Sequence, residues 1–224
     1  SLTVGNDYII ATGTVTMATT STTIGGSFSS AGGLFAHSNS LVEFNGTGVE
    51  TITASGTVFN NAFYDLTFSG SGSWTMLDQY ATSSNDVLIT GGTLVLPATE
   101  LSVGGSFLNT NGTVTANSGS LTMSAAGAET LTLNGSALYD LTVAGAGTIT
   151  FSESTAAVGN DVLVYAGTLV LPGSTLTVGG SWVNNSTISP LTGTVLFNST
   201  DTGETIDLGS SSLHNMTFGN ALGG

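Results

Sequence analysis

Three stretches of this chain carry the same sentence. Residues 5–28 read GNDYIIATGTVTMATTSTTIGGSF, residues 84–107 read SNDVLITGGTLVLPATELSVGGSF, and residues 159–182 read GNDVLVYAGTLVLPGSTLTVGGSW. The second and third match at 15 of 24 positions. Self-similarity at a near-constant offset marks a repeat architecture, whose units bury their apolar faces only by stacking on one another. The repetition runs on past these stretches. Phe28, Phe107 and Trp182 are followed, at one constant spacing, by Glu50, Glu129 and Glu204, which open the segments ETIT, ETLT and ETID. FYDLTF (63–68), LYDLTV (138–143) and LHNMTF (213–218) come next. The step from Glu to that block is the same in copies two and three and longer by four in copy one, which places an insertion within 51–62. It reads as a lengthened turn, the kind of change that loops absorb at small cost. The whole chain, 1–224, reads as one domain of three repeats, about 1–79, 80–154 and 155–224.

Within each copy the apolar period is two. TLVLP, ELSVGGSF, GTVTAN, SLTMS, TLTLNG, LYDLTV and GTITFS are short alternating runs rich in Thr, Val, Leu and Phe, punctuated by Gly, Asn and Ser. That is strand and turn chemistry, with no amphipathic helical stripe. Comparable strand starts fall at Thr93, Thr113, Leu131, Thr148 and Thr168, giving an inner step of about 19 residues. The expected fold is all-β: a parallel β-helix (β-solenoid) of about twelve coils, four to each repeat. The usual handedness of parallel crossovers makes right-handed winding the expectation. Phe63, Leu138 and Leu213, Leu66, Leu141 and Met216, Phe68, Val143 and Phe218, and Trp74 and Ile149 are the expected core columns. An antiparallel sandwich for each copy is the competing architecture, since it too is built of many short strands at even spacing.

The chain contains no Lys or Arg, and its 14 acidic residues give a net charge of −14 with only 6% of residues charged. Nucleic-acid binding is excluded in practice, because affinity there comes from cations neutralising phosphates. Anionic lipid is disfavoured for the same reason. Cys is absent, so there is neither a disulfide nor a thiolate metal site. No apolar run approaches the ~20 residues of a membrane-spanning helix. With neither an initiator Met nor a signal peptide, the chain reads as a mature or excised piece. Asn-X-Ser/Thr sequons occur at Asn45, Asn111, Asn134, Asn184, Asn185, Asn198 and Asn215.

The series GTLVLP, LTVGGSW, GTVLF, GETI and LHNMTF resembles the β-strand repeats of very large secreted and cell-surface proteins of bacteria and archaea, of adhesin-like and haemagglutinin-like type. The resemblance covers the whole chain. It implies a β-solenoid with an extracellular or cell-surface, mainly structural role, and it carries no catalytic residues to transfer.

Recurrent polar residues need weighing one set at a time. Asp7, Asp86 and Asp161 each follow an Asn (Asn6, Asn85, Asn160). As a column they would suit Ca²⁺, but no Asp-X-Asp-X-Asp cluster supplies the six to eight oxygens that ion takes. An Asn-Asp corner bonding its own turn is the simpler reading. Glu50, Glu129 and Glu204 form a second series, and Asp65, Asp140 and Asn215 a third. Stacked four coils apart, equivalent carboxylates would be ~19 Å from one another, too far for the ~5–10 Å pair of glycoside hydrolysis. Carboxylates of different series would have to meet across a face to form one. His37 and His214 are isolated, and His214 takes the place of Tyr64 and Tyr139. The Thr-X-Thr motifs at 14–16, 113–115, 130–132, 148–150 and 175–177 fit an ice- or glycan-binding ladder less well than they fit solvent-side strand positions. The sequence therefore assigns no catalytic, cofactor-binding or metal-ligating residue and no cofactor. Ca²⁺ is the one ion with any claim.

Both ends read as interior coils: Ser1–Asp7 (SLTVGND) parallels STAAVGND at 154–161, and LHNMTFGNALGG at 213–224 has no polar cap. Uncapped coils expose strand edges that template further pairing. The expected function is a structural subunit or module of an extracellular filament or appendage, self-associating head to tail. The alternative is an adhesin stalk or carbohydrate-binding module, with glycans gripped by Trp74, Trp182, Tyr8, Tyr80 or Tyr165. An enzyme ranks third.

Overall fold

The computed structural model describes residues 1–17, 20–54 and 62–219. Among these every regular element is a strand, and every strand pairing is parallel. The chain winds as a β-solenoid with three faces, which we label A, B and C in the order the chain visits them. Face A runs through ten strands: Leu2–Val4, Ser21–Ile24, Leu41–Phe44, Asp65–Phe68, Val87–Ile89, Phe107–Asn109, Ala128–Thr132, Thr148–Phe151, Thr168–Val170 and Thr187–Ser189. Face B starts at Tyr8–Ile9 and Phe28–Ser29, passes through Thr93–Val95 and Thr113–Thr115, and reaches Thr194–Phe197 and Asn215–Phe218. Face C starts at Thr14–Thr16 and Leu34–Ala36, then runs from Tyr80–Ser83 to Ile206–Asp207.

The solenoid class is the expected one, but the coil is longer. Register descends one column as Leu2, Thr22, Val42, Leu66, Val87, Phe107, Leu131 and Phe151. The shortest steps match the expected length, as from Leu169 to Ile188, whereas the longest, as from Phe107 to Leu131, exceed it by five. There are about ten coils where twelve were expected. The error has a physical source. Thr93 does stack on Thr113, and Thr148 on Thr168. Leu131, however, stacks on Phe107 and not on Thr113. Strands on all three faces obey the same alternation, so the sequence spacing crossed from one face to the next unnoticed.

A longer coil changes where the copies sit. Each repeat now spans eleven faces, or three coils and two faces. Its opening strand lies on face B in copy one (Tyr8–Ile9), on face A in copy two (Val87–Ile89) and on face C in copy three (Val162–Val164). Equivalent residues therefore do not form columns. They move round the solenoid by a third of a turn per copy and return to the starting face after three copies, which together make eleven coils. The insertion in copy one is taken up within one coil: Glu50 pairs with Trp74, a step longer by four than that from its counterpart Glu129 to Ile149. Most of the expected insertion, 55–61, lies outside the described residues.

Alternation decides the core. Along Ser73–Met76, Glu100–Val103 and Thr175–Val178 the first and third side chains point outward and the second and fourth are buried. The first half of the core is aromatic: Phe28, Phe35, Phe44, Phe63, Phe68 and Trp74 form a continuous chain of ring contacts with centroids 4.9–6.5 Å apart. Offset and edge-to-face geometry adds to what area burial alone supplies. The second half is mostly aliphatic. The expected core residues Phe63, Leu66, Phe68, Trp74, Leu138, Leu141, Val143 and Ile149 are all buried. Leu213 is only partly buried, and Met216 and Phe218 are exposed, since no described coil lies over them.

Coil-on-coil stacking at ~4.8 Å leaves no room for side chains where turn backbones coincide. In each copy the Gly-Gly of GGS sits on the turn of the coil before it. A Cβ on Gly25, Gly104 or Gly179 would come within 2.6 Å of the carbonyl oxygens of Gly5, Ser84 and Gly159 respectively. A second glycine series, Gly13, Gly92 and Gly167, has φ of +78°, +65° and +68°, the left-handed region that glycine enters without strain.

Two outcomes test this packing. Gly104→Ala should lower unfolding stability by about 1–3 kcal/mol in urea titration, whereas Gly173→Ala, with nothing within 4 Å, should be neutral. Thr22→Val should raise stability by about 1 kcal/mol, because Thr22 Oγ1 is buried with no hydrogen-bond partner among the described residues, in the same apolar column as Val42.

Candidate functional site: corner ladders and open coil edges

A chain without Lys or Arg must satisfy its carboxylates with neutral donors. At least twelve of the fourteen do so, accepting from backbone N–H, Asn or hydroxyl groups. The recurrent acids join into three ladders that climb the corners between faces. In copy two, Asp65 Oδ1 accepts from Asn85 Nδ2 (2.7 Å) and from the Asp86 N–H (3.2 Å). Asp86 Oδ1, one coil on, accepts from the Ser106 N–H at 2.8 Å. Ser106 Oγ then donates to Glu129 Oε2 (2.7 Å) and accepts from the Thr130 N–H (3.0 Å). Four successive coils are tied by one chain of hydrogen bonds.

Copy three repeats this with Asp140, Asn160, Asp161, Ser181, Glu204 and Thr205. Copy one repeats the later part with Asp7, Ser27, Glu50 and Thr51. The second glycine of each GGS is required here as well: a Cβ on Gly26, Gly105 or Gly180 would come within 2.5 Å of Asp7, Asp86 or Asp161 Oδ1. The Asp of the Asn-Asp pair thus bonds the coil above it, where the sequence suggested its own turn.

The ladders lie on three different corners, so the three Asp residues form no common column. Asp65 and Asp86 do approach each other, as do Asp140 and Asp161. Their Oδ1 atoms are occupied by structural donors on a convex corner. Among the described residues no three His, Cys, Asp or Glu side chains converge in a way that could hold a metal ion. His37 Nδ1 accepts from the Asn39 N–H, and its ring stacks on Tyr64. His214 is exposed on the last described coil.

The aromatic residues considered for glycan binding do not assemble into a groove. Trp74 and Trp182 are fully buried core residues. Tyr8 stacks on Phe28, and Tyr80 and Tyr165 are exposed at opposite ends of face C strands. Asn184 is also buried, and its carboxamide donates to Leu208 O, so this sequon is closed in the folded chain. Outward Thr residues do stack, as Thr148–Thr168–Thr187 on face A and Thr155–Thr175–Thr194 on face B, but only three coils deep.

The other notable surfaces are the two end coils. Among the described residues the first coil's strands each have one neighbour, and Leu2 and Ile9 are exposed there. At the other end Ile206, Met216 and Phe218 continue the inward columns of Trp182, Val195 and Phe197 yet stand 37%, 46% and 64% exposed. Sequence reasoning missed the role of the GGS serines, although their fixed lead on the Glu was visible. No protein family, curated protein or solved structure matches this chain.

Ser106→Ala should destabilise by about 1–3 kcal/mol, because it strands both a part-buried carboxylate and the Thr130 N–H. Ser102→Ala removes only an exposed hydroxyl pair and should change stability by less than about 0.5 kcal/mol. Chemical denaturation of the two variants side by side checks the difference.

Proposed function

We propose that this chain is a structural unit of an extracellular filament or cell-surface appendage, assembled by end-to-end stacking of coils. One observation carries the reading. Every described coil is joined to the next by parallel strand edges and corner hydrogen bonds, so the solenoid lengthens by adding coils, and among the described residues Ile206, Met216 and Phe218 offer an uncovered apolar layer on which a further coil can stack. Exposed parallel edges of this kind template further pairing. A contact between unlike ends is heterologous, and one that does not close yields an open filament. The surface supports the same role. It is a nearly uncharged coat of Ser, Thr, Asn and Gly, and its repeated polar groups are spent on holding coils together.

The test is direct. Electron microscopy of concentrated protein should show fibres one solenoid wide. Phe218→Asp combined with Met216→Asp should leave monomers with unchanged circular dichroism, since a charge buried without a partner costs several kcal/mol in the stack and nothing where it is solvated. Dispersed wild-type monomers at high concentration would refute the proposal.

A further inference from the structure

We infer that Asn134–Gly135 is a self-modifying site, at which the folded chain converts its own asparagine to aspartate and isoaspartate and so loosens the break in face B. The inference stands independently of the filament reading.

Asn-Gly occurs three times, at Asn45–Gly46, Asn111–Gly112 and Asn134–Gly135. All three lie on the corner where the chain leaves face A for face B. The pair is reactive because glycine has no Cβ to shield its backbone nitrogen. That nitrogen, once its proton passes to solvent hydroxide, attacks the Asn Cγ. The new C–N bond closes a cyclic imide, and the side-chain nitrogen takes up a proton and leaves as ammonia. Water then opens either imide carbonyl. Cleavage at Cγ leaves aspartate. Cleavage at the main-chain carbonyl leaves isoaspartate, whose backbone runs through the side chain and is longer by a methylene. Water is consumed, ammonia is released, and nothing is oxidised or reduced.

The fold holds two of the three pairs shut. The Gly112 N–H donates to the buried Asn109 Oδ1 at 2.9 Å, and the Asn111 carboxamide donates to Thr90 O at 3.4 Å. Gly112 is also wedged on the coil below, since a Cβ on it would strike Ile89 Cγ2. Gly46 is buried between two coils: a Cβ on it would lie 2.5 Å from Gly25 O, and one on Gly70 would strike Gly46 O. Closing the imide requires the Asn-Gly peptide to rotate, and neither corner leaves room for it.

Asn134–Gly135 is open. The two residues have φ of +51° and +77° at the tip of a turn closed by the Ser136 N–H donating to Leu133 O at 3.0 Å. Both are exposed. The Gly135 N–H has no partner among the described residues, and a Cβ there would meet nothing within 4 Å. An open groove lined by Gly135, Ser136, Thr155, Ala156 and Ala157 brings solvent to the turn.

This corner lies at the break in face B. Thr113–Thr115 and Ala137–Leu138 belong to different sheets, and a side chain joins them: Ser136 Oγ accepts the Val114 N–H at 3.0 Å. Glu153, one coil on, fixes the turn by accepting the Leu133 N–H (3.0 Å) and the Asn134 N–H (2.9 Å). Either product sets a second carboxylate beside that of Glu153, in a chain with no Lys or Arg to neutralise it. Isoaspartate also displaces Ser136 from Val114. Copy three makes the same joint through Ser211 Oγ and the Ile188 N–H, with Gly209 (φ +56°) in the place of Asn134. The turn therefore needs a left-handed residue there and not an amide.

Trypsin finds no site in this chain, so the test is mass spectrometry of chymotryptic peptides after prolonged incubation of the folded protein in mildly alkaline buffer. The Asn134 peptide should take the mass shift of amide to acid and split into two chromatographic forms. It should do so at least about tenfold faster than the Asn45 and Asn111 peptides, since one hydrogen bond that must first open, as at Gly112, is worth about that factor. In urea, with the fold lost, all three should react at similar rates. Asn134→Gly should abolish the signal with unchanged circular dichroism, and Asn134→Asp should lower the unfolding midpoint. Asn134 staying intact in the folded protein, or Asn45 or Asn111 keeping pace with it, overturns the site. A midpoint unchanged in both Asn134→Asp and the aged protein overturns the loosening.

Discussion

The structure depends on one coil lying directly on the next at strand spacing, including at the corners where the backbone turns. Faces stack easily, since parallel strands satisfy their own N–H and C=O groups. Corners do not, because turn carbonyls and amides are left over and side chains collide. The chain meets this with two devices written together in the repeat. Glycines at the GGS corner remove the Cβ that would strike the coil below. The Asp of the preceding coil then occupies that space and accepts the Ser N–H. Neither works alone: without the glycine the carboxylate has no room, and without the carboxylate the part-buried corner amide loses its acceptor.

A carboxylate held only by neutral donors also accounts for a composition that looks improbable. Ion pairs at these corners would require long cationic side chains to fold back over a surface of coils only ~4.8 Å thick. Amide and hydroxyl donors fit within one coil step, and hydrogen bonds to a charged acceptor are stronger than neutral ones. Where like charges adjoin, as at Asp65 and Asp86, Asn85 Nδ2 and the Asp86 N–H both point at the shared Oδ1. The absence of Lys and Arg is thus compatible with satisfied acids.

Much of this was legible in the sequence. Three-fold self-similarity and period-two alternation lead to the solenoid class, and the burial of Phe63, Leu66, Trp74 and Ile149 follows from alternation alone. Coil length was not legible. Every face is written in the same vocabulary, so Thr113 and Leu131 look like successive starts on one face when they lie on two. That single ambiguity turned a repeat of three and two-thirds coils into one of four, and a circulating series of acids into columns. Trp182, offered only as a glycan platform, misled for another reason. An indole reads equally well as a ligand platform or as a core filler, and only the packing of neighbouring coils decides between them.

The non-integral repeat has a consequence for charge. Had each copy occupied whole coils, Asp86, Asp161 and the glutamates would climb one corner, and a fibre of such units would carry a continuous acidic stripe. A displacement of one face per copy distributes the ladders over three corners, a third of a turn apart. Successive ladders adjoin along the axis, since Glu129 closes one and Asp140 opens the next within a single coil, and it is the turn from corner to corner that keeps them out of one stripe. The same displacement returns a ladder to its starting corner only after three copies. Which corner each ladder climbs, and so how the charge is spread round the solenoid, is thereby set by one quantity, the number of faces in a repeat.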